Sequence, residues 1–239
     1  MKVQLKNEHR WDVAPYEAQQ LQKDLQAKVS EAELGGDIKA IAGIEIAHSR
    51  FSDTLTVAVA VISYPEMTLL EDVVIEHQTK FPYIPGLLSF RECPAILKGL
   101  EALKSVPDVL MIDGPGVAHP HGLGVASHLG VLTDLPTIGV SRTSLVGSYV
   151  EPEVSAGSQT SLVWQGEIIG SVYRSKNRVA PLFISVGHRV TRARAIEMVI
   201  ACCQGYRLPE PTRHAYAALN SARMSARAAS GAAGVPETL

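Results

Sequence analysis

The sequence predicts a single α/β domain whose mixed sheet is flanked by helices. Three observations carry that reading: β-type runs cluster early, helical and extended segments alternate afterwards, and turns rich in glycine and proline separate them. A chain of 239 residues is long enough to bury a sizeable core as one domain. Its 46% hydrophobic and 19% charged residues belong to a globular protein, not a disordered one.

Taken in order, the first element is a helix over residues 15–34. Leu21, Leu25, Val29 and Leu34 recur there at helical spacing before Gly35-Gly36 stops the pattern. Residues 39–47, 54–64 and 67–77 follow as β-type runs. The breaks at Phe51-Ser52-Asp53 and Tyr64-Pro65-Glu66 make them consecutive antiparallel strands. A proline-rich loop, Phe81-Pro82-Tyr83-Ile84-Pro85-Gly86, leads into a helix from near Ser89 to Lys104. Ser89 is its candidate N-cap, with Glu92 at the third helical position. A short apolar strand, 108–113, ends on Asp113 and opens into Gly114-Pro115-Gly116. A helix over 123–132, a strand over 136–140, a polar loop over 151–161 and a hairpin turning at Gln165-Gly166 come next. A strand over 182–186 and a helix over 191–202 close the pattern. The domain is expected to span 1–223, and the Ala/Ser/Gly-rich ending, 224–239, to be a disordered tail. Three antiparallel strands, a helix and a strand continuing the sheet is the order of ribonuclease-H-like folds, although fold alone does not establish function.

The formal net charge of -2 excludes a broadly basic coat, so any nucleic-acid contact must be a local patch. Arg174, Lys176, Arg178, Arg189, Arg192, Arg194, Arg207 and Arg213 are opposed only by Glu197 and Glu210 in their stretch. They could meet phosphates or form a solvated face. Cys93, Cys202 and Cys203 form no C-x-x-C pair, which supports neither a disulfide framework nor a structural zinc site. The N-terminus has no apolar signal core, and no stretch is long enough to cross a bilayer. A cytoplasmic protein is the expectation, with no membrane partner and a monomer as the default.

Glu45 sits in an otherwise apolar strand, IAGIEIA, and Asp113 ends another, VLMIDG. Either could be a solvent-side carboxylate. An acid among core-forming residues is nevertheless costly to bury alone, and a bound metal offsets that cost. Glu92 could complete the set, and such oxygen ligands suit Mg²⁺ or Mn²⁺ rather than Zn²⁺. The loop DGPGVAHPHGLGVASH brings glycines that let a backbone approach a ligand closely. His119, six residues past Asp113, could reach a substrate or be a hydrogen-bonded loop histidine, the role expected of His121 and His128. Pro82 and Pro85 stiffen the loop that carries Tyr83 and Ile84. Its apolar tip could enter a base stack or anchor the loop in the core.

Together these segments resemble endonuclease V. The resemblance rests on PYIPGLLSFRE (82–92), DGPGVAHPHGLGVASH (113–128), PTIGVSRTSLVG (136–147), YRSKNRVAPLFISVGHRV (173–190) and GYRLPEPTR (205–213). These runs occur in order, over roughly residues 41–213. The resemblance implies a ribonuclease-H-like core, Mg²⁺ or Mn²⁺ as cofactor, and recognition of inosine, the product of adenine deamination. It implies cleavage of the second phosphodiester bond on the 3′ side of the lesion, in deoxyinosine-containing DNA or, for some members, inosine-containing RNA.

Carried over by motif, Asp113 and Glu92 match metal-site acids, and Glu45 stands where the family usually has aspartate. His119 matches a histidine near the scissile phosphate. Tyr83, with Pro82, Ile84 and Pro85, matches a strand-separating wedge. Leu88, Gly114, Gly124 and Val125 match a pocket for the flipped base. Three positions depart from the pattern. Glu45 adds a methylene to a ligand of a metal that demands near-octahedral geometry. Arg142 replaces a lysine and carries a planar fork in place of a compact ammonium. His121 replaces an arginine. Tyr216 also falls where an aspartate or histidine is frequent, and His214 has no expected role. An inosine-directed endonuclease with altered metal preference is the favoured expectation. An inosine-binding homologue with little catalysis is the second, and a nuclease of the same fold without inosine preference is more distant.

Overall fold

The structure is a computed structural model that describes residues 2–6, 8–47 and 52–229. Among these residues the chain forms one eight-stranded sheet and five helices. The strands are β1 (Ala40–Ala47), β2 (Thr54–Ser63), β3 (Leu69–Gln78), β4 (Val109–Ile112), β5 (Thr137–Ser141), β6 (Gln159–Trp164), β7 (Glu167–Tyr173) and β8 (Leu182–His188). The helices are α1 (Pro15–Gln26), α2 (Leu88–Ala102), α3 (Val125–Thr133), α4 (Arg192–Ala201) and α5 (Glu210–Ala229). The sheet order is β3-β2-β1-β4-β5-β8-β7-β6. β1, β4 and β5 run parallel, and all other neighbours are antiparallel. This is the mixed, ribonuclease-H-like sheet expected from the order of elements.

Side chains alternate across the pleat of each strand, and that alternation assigns the helices to two layers. Ala42, Ile44, Leu110 and Ile112 pack with Cys93, Ile96 and Leu100 of α2 and with Ala126 and Leu129 of α3. The opposite face of the sheet carries Ile41, Met111, Ile138 and Val140 against Ala195, Met198 and Val199 of α4. Ala58 and Ala60 of β2 meet Ala215 and Leu219 of α5 on that same side. Each fully buried Ile or Leu contributes about 1.5–3 kcal/mol, so the two layers hold the central strands from both sides.

Three expectations change. The first helix ends at Gln26, not Leu34. Val29 packs in the cluster around Phe81 and Phe90, whereas Leu34 joins the α4-side cluster. One straight helix could not serve both. Ser30 instead pairs with the end of β8, donating its N–H to His188 Nδ1 at 3.2 Å and accepting from Arg189 N–H at 2.7 Å. The cap of α2 is Leu87, not Ser89, and no side chain caps it; the Ser89 hydroxyl bonds elsewhere. Finally, α5 was not anticipated and runs through residues 224–229, which the compositional reading gave to the tail. Residues 230–239 of that tail lie outside the described residues. Among the described residues no helix is long and apolar enough to cross a membrane.

The start of α5 lies directly on β1. A Cβ added to Gly43 would stand 1.9 Å from the Pro211 carbonyl oxygen, a contact of backbone with backbone that no rotamer change relieves. Gly43→Ala is expected to destabilise the fold by about 3 kcal/mol and to lower Tm by on the order of 10 °C. Gly35→Ala, which meets nothing within 4 Å, should stay within about 0.5 kcal/mol of the parent. Thermal denaturation of the two variants checks both.

Candidate active site

The parallel pairing of β1 with β4 aligns Gly43 with Met111 and Ile44 with Ile112. One residue further, Asp113 donates its N–H to the Ile44 carbonyl at 2.9 Å, which brings its side chain beside Glu45. Both acids are therefore placed by strand register at the C-terminal ends of neighbouring strands. Glu45 is 4% exposed. Burial, and next the Asp113 carboxylate, hold the Glu45 carboxyl well above the usual carboxylate range, and Arg142 only partly offsets this.

Arg142 follows β5, the next strand of the sheet. Its Nη2 donates to Glu45 Oε1 at 2.5 Å and also to Asp113 Oδ2. Its guanidinium lies 5.4 Å from the centroid of the Tyr216 ring of α5, within cation–π range. Glu45 Oε2 is buried and has no hydrogen-bond partner among the described residues. Among those residues no three His, Cys, Asp or Glu side chains gather into one metal-holding group; the two strand acids converge on Arg142.

A cavity of about 420 Å³ opens over these residues. Of the predicted site residues, Glu45, Glu92, Asp113, His119 and Arg142 line it, as do Tyr83, Pro85, Leu88, Gly114, Gly124 and Val125. Glu92 reaches it from the second turn of α2 and is buried. Tyr83 is 37% exposed. Pro82 and Ile84 do not line the cavity: Pro82 is exposed, and Ile84 packs against the cluster around Phe81 and Phe90. The loop is tied down from behind, because buried Arg91 donates to the Phe81 carbonyl at 2.5 Å and to the Ser52 carbonyl. Hydrogen bonds to a charged donor are worth about 1.5–3 kcal/mol each, enough to fix the loop on α2.

His119 is defined by its neighbours. Its Nδ1 accepts the His121 backbone N–H at 3.2 Å, so the neutral ring carries its proton on Nε2. Burial, and then His121, push its pKa down to about 4, leaving the ring neutral near pH 7 with one N–H to donate. The floor of the cavity depends on close backbone packing. A Cβ on Gly124 would lie 2.3 Å from the Pro115 carbonyl oxygen, and one on Gly114 would lie 2.4 Å from Val125 Cγ1.

Ile46, Ser89, Ser141, Thr143 and Leu145 also line the cavity but were not singled out as site residues. Four of them sit in runs already marked by motif, two beside Arg142; the missing information was which way each side chain faces. Most of the basic run is paired within the chain, although only Arg174 is buried. Arg174 bonds Glu151 and the carbonyls of Pro152, Glu153 and Val179. Arg189 pairs with Asp134, Arg194 with Glu197 and Arg213 with Glu210, while Arg192 and Arg207 bond backbone carbonyls. Lys176 and Arg178 remain exposed. His214 pairs with Glu210.

Comparison with known proteins places the chain in one family. A protein named Endonuclease V from Dehalococcoides mccartyi is 46% identical over 218 residues, covering 91% of this chain and 98% of its own. The crystal structure of the endonuclease V from Streptomyces avermitilis superposes with a TM-score of 0.84 at 35% identity, over 95% of this chain and 99% of that one. The endonuclease V of Ciona intestinalis, solved with a 23mer DNA containing an inosine followed by a ribo-adenosine, shares the fold at a TM-score of 0.78 and 24% identity, over 90% of this chain and all of that one. The family profile described as Endonuclease V matches residues 20–217. With that match spanning most of the chain, the protein belongs to the endonuclease V family of phosphodiester hydrolases.

Proposed function

We propose that this protein is a DNA repair endonuclease that recognises deoxyinosine and hydrolyses the second phosphodiester bond on its 3′ side, with Mg²⁺ or Mn²⁺ as cofactor. The observation that carries the reading is the convergence of Glu45, Asp113, Glu92 and His119 on one cavity whose wall also includes Tyr83 and the glycine-rich loop. The DNA in the Ciona structure contains inosine, which supports the same substrate class here. Endonuclease V enzymes are metal-dependent nucleases.

The residues fit a divalent cation. A buried carboxylate oxygen, Glu45 Oε2, lacks a partner among the described residues, and the cationic head of Arg142 is drawn between Glu45 and Asp113. Glu45 and Asp113 would hold the ion through oxygen ligands suited to Mg²⁺ or Mn²⁺, and Glu92, which lines the same cavity without gathering with them into one group, would act through a water. An ion held there would supply the positive charge that polarises a scissile phosphate and offsets charge on a leaving 3′ oxygen. Glu92 orients the attacking water, and His119 donates its Nε2–H to a phosphate oxygen. Being neutral, the imidazole supplies a directed hydrogen bond without adding a second fixed cation beside Arg142. Tyr83 presents an aromatic face on a loop stiffened by two prolines, and so can fill the space left by an extruded base. That base enters between Leu88, Gly114, Gly124 and Val125, and unstacking is least costly at a mispaired lesion.

One observation favours a second reading, an inosine-binding protein with slow cleavage. Arg142 and Tyr216 brace each other beside the two acids that would hold the metal. Inosine in RNA is the other substrate this cavity could take.

A labelled deoxyinosine oligonucleotide with Mg²⁺ or Mn²⁺, beside an undamaged control, tests the proposal. Metal-dependent cutting confined to the inosine strand is expected, and Asp113→Ala should lower it at least about a hundredfold. No metal-dependent product from the intact protein sinks the enzyme reading, and equal cutting of the control removes the inosine assignment. Glu45→Asp shortens the ligand arm and loosens its hold on Arg142. Mg²⁺-dependent cleavage is expected to rise several-fold, and unchanged or lower activity counts against the assignment of Glu45.

A further inference from the structure

Ser89 lines the cavity from the first turn of α2, and its hydroxyl is the inner end of a hydrogen-bond chain that leads out to the N-terminal segment. Ser89 Oγ lies 3.0 Å from His128 Nδ1, and His128 Nε2 lies 2.8 Å from His9 Nε2. His9 Nδ1 lies 2.7 Å from the Arg10 carbonyl oxygen. The last contact sets the direction of all the others. A carbonyl only accepts, so His9 Nδ1 carries the ring proton. In a neutral ring His9 Nε2 is then an acceptor, and His128 Nε2 must donate to it. His128 Nδ1 is therefore an acceptor in its turn, and the Ser89 hydroxyl donates its one proton to it. Only lone pairs remain for a ligand.

The surroundings keep both rings in that state. His128 is fully buried in α3. Trp11 and Phe90 pack around the pair, with ring centroids 4.4 Å from His9 and 4.9 Å from His128 respectively. Desolvation lowers the pKa of both imidazoles; Glu8 and Lys28, the charged side chains facing His9, act on it in opposite senses.

We propose that the His9–His128 pair fixes Ser89 as a hydrogen-bond acceptor for the ring N1–H of hypoxanthine, making Ser89 a specificity-determining residue of the base pocket. This rests on the inosine reading above. Hypoxanthine carries a hydrogen on N1, whereas adenine presents a bare N1 lone pair. An adenine seated in the same pose would set acceptor against acceptor and leave two buried polar groups unsatisfied. His9 and His128 are positioning residues that act through Ser89, so the segment before α1 takes part in reading the base.

Binding in EDTA, measured by fluorescence anisotropy with single-stranded oligonucleotides, tests this without bond cleavage. The probes carry deoxyinosine, 2′-deoxynebularine (a purine with a bare N1 and no 6-oxo group) or deoxyadenosine at one position. Loss of the 6-oxo contact is common to all the proteins compared. A change in the inosine-to-nebularine affinity ratio between them therefore reports the N1 contact. Ser89→Ala should lower that ratio about tenfold. His9→Phe keeps an aromatic ring against Trp11 but removes the acceptor for His128. The Ser89 proton is then free to turn toward the ligand, and the ratio should fall at least threefold through tighter nebularine binding. An unchanged ratio in His9→Phe, or in a Ser89→Ala protein that still prefers inosine to adenosine, overturns the role of Ser89 and leaves the inosine reading standing. Failure of the intact protein to prefer inosine to adenosine overturns both.

Discussion

Two carboxylates held side by side in a nearly dry site repel one another, and neither can be hydrated fully enough to relieve it. The parallel pairing of β1 with β4 imposes that arrangement on Glu45 and Asp113. Register leaves them little freedom, since a slip of one residue would turn every side chain on the strand to the other face and dismantle both layers of core. A positive charge is needed, and in this structure Arg142 supplies it from the end of β5. The same electrostatic demand makes the place suitable for a divalent cation. The sheet thus sets two acids side by side where burial and their mutual repulsion hold the Glu45 carboxyl well above the usual range.

The surrounding elements serve that placement. α5 reaches β1 because Gly43 has no side chain to hold it away, and the approach delivers Tyr216 to the guanidinium of Arg142. The loop after β4 turns so tightly that a Cβ on Gly114 would meet the Val125 side chain and one on Gly124 the Pro115 carbonyl. Behind the proline loop, buried Arg91 ties two loops together by donating from its two terminal nitrogens to their carbonyls. Rigidity of this kind holds Tyr83, Glu92 and His119 at fixed positions around the cavity before any ligand arrives.

Much of this was legible from the chain itself. The apolar strands ending in or containing single acids, the helix beginning near Glu92 and the glycine-rich loop carrying His119 all stand where periodicity and motif placed them. The proline loop reads in the sequence either as a presented apolar tip or as an anchor in the core. It does both, with Tyr83 and Pro85 at the cavity and Ile84 turned into the core, because successive residues of a short loop cannot all face one way. Arg142 was expected as a substitute for lysine, but its grip on both acids could not be read from residue type. The row of arginines after β7 reads equally as a phosphate patch or a solvated face because sequence shows charge without partners; the structure pairs most of those charges with carbonyls and local acids.

The sequence by itself determined the order of strands and helices as far as α4, the family motifs and the identity of the acids, because hydrophobic period, turn residues and residue types are local properties. Only the tertiary structure decided which acids stand together, that Arg142 bridges them against Tyr216, and that Ser89 faces His128 instead of capping its helix. Those relations join residues as far apart as His9 and His128 or Glu45 and Arg142. They depend on the side toward which each backbone segment turns, which is fixed only when sheet register and the packing of both helical layers are satisfied together.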